Sequence, residues 1–447
     1  MPRRSGVAPL RRYKGFALTR ALELPENIVY RPVDGRHLFI APEGPSWIVA
    51  DDVGALVLMP LHQGRTLLEA MDFAVAHMGV KPKEARAGMR ALLAEIQAKH
   101  FFRGLPPIEP SPSKAKAVLH LFLTRRCNLR CIHCYVSGGE PLANELTTAE
   151  WKGVIDQFTD SYGHGIVTFS GGEPLCCQDF SEIAEYAKGK GHELCLFTNG
   201  TLIEDMETAQ HLASLVDNIQ LSLDAASPEV CAKVRGYGVF ERVMAAIDLF
   251  KTLGKKLDLA FVVLPDNLED LRANLVPLVR SVDYHGISIN LDDQVTPTGR
   301  AAAFPAEYFQ METEARFAVN QLFQELREAG WTQPAPQSIN RGLHHCGIGI
   351  GFTVDANGDI YPCPIPVCKY GNTRQDDVPS LIARMARLQG ETLVTKMPTC
   401  AACEVRYVCN GMCRIMNYKD TGDFLTPLCD DGHKMRTYRR MIDMVRV

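Results

Sequence analysis

The sequence lacks long apolar runs, a surplus of positive charge and the pattern of an export signal. None of its apolar stretches approaches the roughly eighteen residues that a membrane-spanning helix needs. The net charge of −4 gives no reason to expect a nucleic acid as a partner. The first residues are basic, but no apolar segment follows them, so they do not predict a signal peptide. We therefore expect a cytoplasmic protein with no membrane and no nucleic-acid partner.

Cysteine, in contrast, is abundant. The chain has 15 cysteines among 447 residues. In a reducing compartment these are expected to be thiols or metal ligands, and an odd number in a long chain also argues against a disulfide scaffold. The length is too great for one ordinary core and predicts several domains. Metal binding is therefore the first hypothesis for the cysteines.

Composition and periodicity divide the chain into six segments. A front unit at 25–104 has two strand patterns followed by three helical patterns, which predict a winged-helix-like domain. From 117 to 320, strands and helices alternate six times, which predicts an α/β fold, a partial (β/α)6 TIM barrel with functional loops after its strands. The other segments are a basic tail (1–24), a proline-rich linker (105–116), a connector (321–345) and a cysteine-rich region (346–447).

Three cysteines follow the first predicted barrel strand at the spacing C-x3-C-x2-C, namely Cys127, Cys131 and Cys134. Three thiolates on one short loop can hold three irons of a [4Fe–4S] cube and leave the fourth iron open to another ligand. A structural zinc site would need a fourth ligand. His133 could supply it only with strain, because it lies between two of the cysteines. The spacing therefore favours an iron–sulfur cluster.

Short polar motifs follow the next three predicted strands. "SGGEP", from Ser170 to Pro174, combines glycines that allow close backbone approach with a glutamate that can accept a hydrogen bond from an amine. "TNG" ends the third strand, and "SLD" ends the fourth with a hydroxyl and a carboxylate suited to ribose hydroxyls. Arg235, in "VRG", could meet a carboxylate. Their order on successive strand ends of one barrel indicates a single ligand site.

With these motifs, about residues 117 to 320 resemble the radical S-adenosylmethionine (SAM) enzymes. The resemblance implies that SAM binds the open iron of a [4Fe–4S] cluster and is cleaved by one electron. The resulting 5'-deoxyadenosyl radical removes a hydrogen atom from an unactivated C–H bond. The residues implied to bind SAM are Tyr135 at the adenine, Gly171, Gly172 and Glu173 at the amine, Ser222 and Asp224 near the ribose, and also Asn199 and Arg235.

The cysteine-rich region resembles the SPASM extension, which carries auxiliary [4Fe–4S] clusters. The resemblance assigns one auxiliary cluster to Cys400, Cys403, Cys409 and Cys429, and a second to Cys346, Cys363 and Cys413. Either Cys368 supplies the fourth ligand of the second cluster, or one of its irons stays open to substrate. Two zinc sites are the alternative for this region.

Four cysteines remain outside these sets. Cys195 lies in a predicted strand and Cys231 in a helical stretch, where packing thiols are expected. Cys176 and Cys177 directly follow "SGGEP". They are candidates for returning a hydrogen atom to a substrate radical.

The third helical pattern of the front unit mixes acids with bases and lacks the one-sided basic face of a DNA-reading winged helix. The unit resembles instead the peptide-recognition element of enzymes that modify ribosomally made peptides, related to the small leader-binding protein of pyrroloquinoline quinone assembly. That resemblance implies that a leader peptide adds as a strand to a sheet edge that includes Trp47, Ile48 and Val49.

Together, these resemblances imply a SPASM-type peptide maturase, similar to the sactipeptide thioether synthases. It would install a cross-link or an epimerised residue in a precursor peptide and take electrons from a donor such as flavodoxin or ferredoxin. An anaerobic sulfatase-type maturase is disfavoured, because those relatives carry an acidic residue where Pro364 follows Cys363. The remaining alternatives are a SAM-radical enzyme for a small molecule such as a tetrapyrrole, and an iron–sulfur sensor or DNA-binding regulator.

Overall fold

A computed structural model describes residues 21–44, 46–79, 81–103, 116–292, 295–305, 308, 312–331 and 346–445. Most of the basic tail, nearly all of the proline-rich linker and residues 332–345 of the connector lie outside these ranges. Within the described ranges, no helix combines the length and apolar character needed to cross a membrane.

The front unit is a three-stranded antiparallel sheet followed by three helices. Its elements are β1 (Val29–Val33), β2 (Arg36–Ala41), β3 (Ser46–Ala50), α1 (Asp52–His62), α2 (Leu67–Met78) and α3 (Pro82–Ala98), with sheet order β1-β2-β3. The three helices confirm the prediction, but the expected strand pair omitted β1. Arg31 and Pro32 interrupt the hydrophobic alternation of β1, and a proline is tolerated there because β1 is an edge strand.

Six parallel strands form the predicted partial barrel, which is confirmed. They are β4 (Val118–Thr124), β5 (Ile166–Gly171), β6 (Glu193–Thr198), β7 (Asn218–Ser222), β8 (Leu257–Val262) and β9 (Ile287–Asp292). The helices between and after them are α4 (Thr148–Tyr162), α5 (Phe180–Gly189), α6 (Met206–Leu215), α7 (Pro228–Val234), α8 (Val239–Thr252), α9 (Leu268–Val282) and α10 (Glu312–Glu328). Alternate strand residues, such as Leu119, Leu121 and Leu123, belong to the main apolar core. The intervening residues therefore face the inside of the barrel.

The cysteine-rich region extends the barrel sheet instead of forming a separate sheet. Its strands are β10 (Phe352–Val354), β11 (Asp359–Tyr361) and β12 (Gly371–Asn372), and β10 pairs in parallel with β4. The result is one nine-stranded sheet. The helices of this region are α11 (Val378–Glu391), α12 (Pro398–Ala401), α13 (Arg406–Cys409), α14 (Arg414–Thr421) and α15 (Asp431–Asp443).

The front sheet is covered on both faces. Phe39 and Ile48 pack with the helices of the front unit, while Trp47 and Val49 pack on the cysteine-rich region. The second contact includes Val405, Val408, Tyr438, Met441 and Ile442, with Cys403 and Cys409 at its margin. Trp47 is only 5% exposed, and its indole Nε1 donates to Met441 O over 2.9 Å. The outer strand therefore carries Trp47, Ile48 and Val49 as predicted, but their side chains are buried.

Polar contacts surround this interface. Arg31 Nη2 donates to Glu404 Oε1 over 2.7 Å, and the Tyr438 hydroxyl donates to the same oxygen over 2.5 Å. Arg406 pairs with Glu43 at 3.0 Å on another side of the interface. Glu404 directly follows Cys403, so the front unit contacts the cysteine-rich region next to one of its predicted metal ligands.

Replacing Trp47 tests how much this interface contributes to stability. Trp47→Ala is expected to lower the free energy of unfolding by about 3 kcal/mol, because it leaves a cavity between the front sheet and α15. Trp47→Phe keeps most of the packing and loses the hydrogen bond to Met441, so about 1 kcal/mol is expected. Chemical denaturation followed by circular dichroism measures both. Tyr237→Ala, at a side chain that is 90% exposed, is the control. An equal effect of Trp47→Ala and the control would contradict the prediction.

Candidate functional site

Cys127, Cys131 and Cys134 lie on a loop at the carboxyl end of β4. We call residues 125–139 the cluster loop. Backbone hydrogen bonds close this loop: Cys127 N donates to Gly139 O over 2.8 Å, and Gly139 N donates to Arg125 O over 2.7 Å. The guanidinium of Arg125 forms an ion pair with Asp355, which directly follows β10, and also donates to Val136 O. The cysteine-rich region thus contributes to holding the cluster loop.

The thiols of this loop face one another in a buried setting. Burial raises the pKa of Cys127 to about 11 and also raises that of Cys131, and neighbouring cysteines add to both shifts. Leu129 N donates to Cys127 Sγ over 3.4 Å, and Gly138 N donates to Cys134 Sγ over 3.3 Å. Backbone N–H groups directed at sulfur favour the thiolate form that iron requires. The donors of this loop therefore fit an iron–sulfur cluster.

Zinc receives no comparable support from the geometry. No three His, Cys, Asp or Glu side chains within the described ranges are placed to hold a single metal ion. His133, the fourth zinc ligand considered from the sequence, has its Nε2 atom 3.1 Å from Asp224 Oδ2. Its imidazole is thus engaged with a carboxylate of the barrel.

The loop after β5 meets the cluster loop backbone to backbone. Gly172 N donates to Thr124 O over 2.7 Å, and Glu173 N donates to Arg126 O over 2.9 Å. A Cβ atom on Gly172 would lie 2.3 Å from Arg126 O, which is closer than any side chain can approach. The glycines of "SGGEP" therefore bring the two loops together, with Gly171 at a φ of +115°.

The carboxylate of Glu173 is enclosed by hydrogen-bond donors of the protein. Its side chain is 0% exposed and accepts hydrogen bonds from Thr198 Oγ1 (2.6 Å), Asn199 N (2.7 Å) and Leu175 N (3.1 Å). Burial raises the pKa of Glu173, and these donors oppose the rise. The carboxylate thus ties the loop after β5 to the end of β6, and its expected contact with the amine of SAM stays a prediction.

Asn199 reaches the cluster loop directly. Its Nδ2 atom donates to Asn128 Oδ1 over 2.8 Å and lies 4.0 Å from Cys127 Sγ. Its Oδ1 atom accepts from the backbone and the hydroxyl of Thr201. The "TNG" motif therefore supports the loop that carries the first cysteine.

Asp224 and Arg235, both expected from the sequence to contact SAM, form a buried ion pair with each other. Arg235 Nη1 donates to Asp224 Oδ2 over 2.5 Å, and Val262 N donates to Asp224 Oδ1 over 2.7 Å. Burial alone would raise the pKa of Asp224, but Arg235 and His133 outweigh it and hold that pKa below its usual range. The carboxylate that Arg235 meets is therefore Asp224, and the carboxylate of Asp224 is occupied by protein groups.

Two buried polar atoms beside this pair have no partner among the described residues: Arg235 Nε and His133 Nδ1. Cys131 is the strongest influence raising the pKa of Arg235 against the effect of burial, so the guanidinium lies close to the cluster thiols. Buried polar groups without protein partners usually meet water or a ligand. These two atoms mark a polar position next to the cluster loop.

Tyr135 and Ser222 lie at the rim of the barrel. The ring of Tyr135 packs against Phe122 at 6.1 Å between centroids, and its backbone oxygen accepts from Thr298 Oγ1 over 3.0 Å. Ser222 ends β7 beside Ala260 of β8 and is partly buried. Both residues lie on the same side of the sheet end as the cluster loop.

Arg300 is a site residue that the sequence analysis missed. Its backbone N donates to Cys134 O, its Nε to Cys131 O and its Nη1 to Gly138 O, each over 2.9 Å. Arg300 thus holds the part of the cluster loop that runs from Cys131 to Gly138. Its acceptors are backbone carbonyls. Every residue has one, so the sequence does not indicate which of them Arg300 contacts. The only available signal was its position shortly after the sixth strand.

The later cysteines come together as two groups. Burial raises the pKa of Cys400 to about 11, with Cys409, Cys403 and Cys429 adding to the rise. Burial raises the pKa of Cys363 to about 12, with Cys413, Cys346 and Cys368 adding to it. We call the first the 400 group (Cys400, Cys403, Cys409, Cys429) and the second the 363 group (Cys346, Cys363, Cys413, with Cys368 beside it). The resemblance assigned the same two sets of cysteines to auxiliary clusters, and their role as metal ligands stays a prediction.

The four other cysteines occupy different places. The thiol of Cys231 is buried and donates to Leu223 O over 3.6 Å, as expected of a packing residue. Cys195 lies between Leu194 and Leu196 of the apolar core, so it faces the inside of the barrel. Burial raises the pKa of Cys176 and Cys177, and the nearby backbone N–H groups of Asn128 and Asp179, respectively, oppose that rise. These contacts place Cys176 against the cluster loop.

Gly172→Ala tests the contact between the two loops. Its Cβ atom would collide with Arg126 O, so after anaerobic reconstitution we expect a loss of roughly four irons, equivalent to one cube. Iron analysis and the visible absorption of the cluster measure this loss. Gly153→Ala is the matched control, because its Cβ atom on α4 would meet no atom within 4 Å. Full iron content in Gly172→Ala would contradict the expected collision.

Known proteins share this sequence pattern and fold. The model of the Radical SAM superfamily matches residues 121–275. An AdoMet-dependent heme synthase of Methanosarcina barkeri is 31% identical over 340 residues, which cover 69% of this chain and 94% of that protein. The mycofactocin maturase MftC of Mycolicibacterium smegmatis is 29% identical over 255 residues, 55% of this chain and 63% of that protein.

A solved structure is similar over most of the chain. The crystal structure of Streptococcus suis SuiB bound to S-adenosylmethionine aligns with 92% of this chain and 99% of its own, with a TM-score of 0.53 and 17% sequence identity. At this identity, the likeness concerns the fold alone.

Proposed function

The chain belongs to the radical SAM superfamily, and we propose that it is a SPASM-type maturase of a ribosomally made precursor peptide. When bound, the [4Fe–4S] cluster and SAM supply the 5'-deoxyadenosyl radical that removes a hydrogen atom from substrate. The protein holds these groups, orients the peptide and excludes water.

Cys127, Cys131 and Cys134 hold the cluster, and the N–H groups of Leu129 and Gly138 favour their thiolate form. Arg235 Nε and His133 Nδ1 are buried beside Cys131 and have no protein partner among the described residues, so they are suited to polar groups of SAM, with Arg235 Nε as a donor to its carboxylate. Asp224 keeps both side chains in place. The 400 group and the 363 group hold two auxiliary clusters, with Cys368 or an open iron completing the second.

The front sheet is the observation that carries the peptide assignment. β3 is the outer strand of the order β1-β2-β3, and it pairs only with β2 among the described residues. On its outer side, the backbone N–H of Val49 lies near the carboxylate of Glu95 on α3 and opposes the rise that burial causes in the pKa of Glu95. A leader peptide that adds as a strand beside β3 would take over this N–H and lie between β3 and α3. A structure of SuiB bound to precursor peptide SuiA has the same fold, with a TM-score of 0.51.

A tetrapyrrole substrate is the second candidate. It is favoured by the heme synthase relative, because this chain aligns with 94% of the length of that protein. The inside of the barrel supports the peptide instead. A porphyrin carries several carboxylates, which need cationic partners when enclosed. None of the inward positions of the six strands is lysine or arginine. These positions include His120, Phe122, Thr168, Ser170, Cys195, Phe197, Gln220, Ser222, Asp258, Ala260, Ser288 and Asn290.

A cross-link in the peptide removes one hydrogen atom, one proton and one electron. The hydrogen atom would leave as part of 5'-deoxyadenosine and the proton would go to solvent, while clusters held by the 400 group and the 363 group would supply an acceptor for the electron. A donor such as flavodoxin or ferredoxin supplies the electron that starts each turnover. Epimerisation requires a hydrogen atom to be returned, and Cys176, Cys177 and Cys195 are the thiols available for that step.

Anaerobic reconstitution tests the radical SAM chemistry. With SAM and dithionite, the wild type is expected to form 5'-deoxyadenosine and to hold about eight to twelve irons, as two or three cubes require. The Cys127→Ala, Cys131→Ala, Cys134→Ala variant should form none and should lose roughly four irons. Zinc in place of iron, or a fully loaded wild type without 5'-deoxyadenosine, would favour an iron–sulfur sensor instead.

Co-expression with short peptides encoded beside the gene tests the substrate. Mass spectrometry should show the loss of two hydrogen atoms per cross-link, or deuterium gained from heavy water on epimerisation. Val49→Pro removes the outward N–H of β3 and should reduce modification of the full-length precursor at least tenfold, while 5'-deoxyadenosine formation without peptide is unchanged. Val49→Ala keeps the N–H and is the matched control.

Conversion of an iron porphyrin, with no peptide modified, would favour the tetrapyrrole alternative. Deletion of the whole front unit is a less specific test, because it would also uncover the apolar side of α15 beside Cys403 and Cys409.

A further inference from the structure

Arg414 is the first residue of α14, directly after Cys413. Its side chain is 0% exposed. The guanidinium donates only to backbone carbonyls: Nε and Nη2 to Thr392 O, over 3.0 and 2.9 Å, and Nη1 to Gly411 O and Met412 O, over 2.8 and 2.9 Å. The described part of the chain places no carboxylate at ion-pair distance from it. Its positive charge is therefore enclosed among neutral dipoles.

Three other arginines in the described part of the chain, of which Arg235 and Arg406 are buried and Arg125 partly buried, differ in this respect. Arg125 pairs with Asp355, Arg235 with Asp224 and Arg406 with Glu43. Enclosing an ion without an opposite charge is costly, and removing one partner of a buried pair leaves several kcal/mol of penalty. Arg414 thus needs a negative charge that is not a carboxylate.

The surroundings of Arg414 offer thiols from both groups. Its guanidinium binds the carbonyls of Gly411 and Met412, which lie between Cys409 of the 400 group and Cys413 of the 363 group. Burial lowers the pKa of Arg414, and the charges of Cys346, Cys400, Cys409 and Cys413 oppose that effect. Two of these thiols belong to each group. A Cβ atom on Gly411 would lie 2.9 Å from Nη1, so the backbone approaches the guanidinium closely.

Building on the proposed auxiliary clusters, we propose that Arg414 is a shared counter-ion that raises the reduction potentials of both of them. Thiolates bound to iron make each cluster net negative, and one added electron makes it more negative. A fixed positive charge in a low-dielectric setting stabilises the reduced form more than the oxidised form. Both clusters therefore accept electrons more readily when Arg414 is present.

The test uses the full chain with Cys127→Ala, Cys131→Ala and Cys134→Ala, so that only auxiliary iron is bound. Redox titration followed by electron paramagnetic resonance gives the two midpoint potentials. Arg414→Gln should make both potentials more negative, and Arg414→Lys, which keeps the charge, should leave them near their original values. Arg406→Gln is the matched control at a buried arginine paired with Glu43. It should leave the potential of the 363 group unchanged.

A shift of one potential or none in Arg414→Gln, or equal shifts in the glutamine and lysine variants, would overturn the proposal. If Arg414→Gln does not retain auxiliary iron, the Arg414→Lys variant decides whether Arg414 acts through its charge or only by holding the backbone in place. If Arg414→Lys retains its iron and its potentials are unchanged, the counter-ion proposal is supported. If a potential shifts or iron is lost in Arg414→Lys, the role of Arg414 is to hold the backbone through its hydrogen bonds. Absence of iron from the parent variant would instead reject the auxiliary clusters, while 5'-deoxyadenosine formation by the wild type separately tests the radical SAM function.

Discussion

The parallel pairing of β10 with β4 is the contact on which the arrangement of the whole molecule depends. β4 ends in the cluster loop, and β10 continues directly into Asp355, so the pairing brings Asp355 to Arg125 at the start of that loop. A salt bridge between two buried groups requires that both be placed accurately, because either one alone would be an uncompensated charge. The extended sheet therefore sets the position of the cysteine-rich region relative to the loop that holds the first three cysteines.

Buried or partly buried arginines lie near each place where cysteines gather among the described residues. Arg300 holds the backbone of the cluster loop, Arg235 lies beside Cys131 with Asp224, and Arg414 lies between the 400 group and the 363 group. Arginine suits this role because it stays charged when buried and has several donors in a fixed plane. Clusters of thiolate ligands are net negative, so each proposed iron–sulfur site has a nearby cation to balance it.

The front unit is joined to the rest of the protein more closely than an accessory module would be. One face of its sheet completes an apolar core with α15, and Glu404, next to Cys403, receives hydrogen bonds from Arg31 and Tyr438. The edge proposed to bind a leader peptide is the strand that carries Trp47, which itself donates to Met441. Only one layer of packed side chains would thus separate a peptide bound at β3 from the 400 group.

The sequence by itself determined the order of the elements, the six barrel strands and the position of the cysteine loop after the first of them. These depend on local signals, namely hydrophobic alternation, glycine-rich strand ends and ligand spacing, which one stretch of chain carries alone. The tertiary structure decided the partners of Glu173, Asp224 and Arg235, the role of Arg300, the extra strand β1 and the joining of β10 to β4. Hydrogen bonds to backbone carbonyls and pairings between distant segments depend on how the chain closes in space. Residue type and spacing therefore cannot specify them.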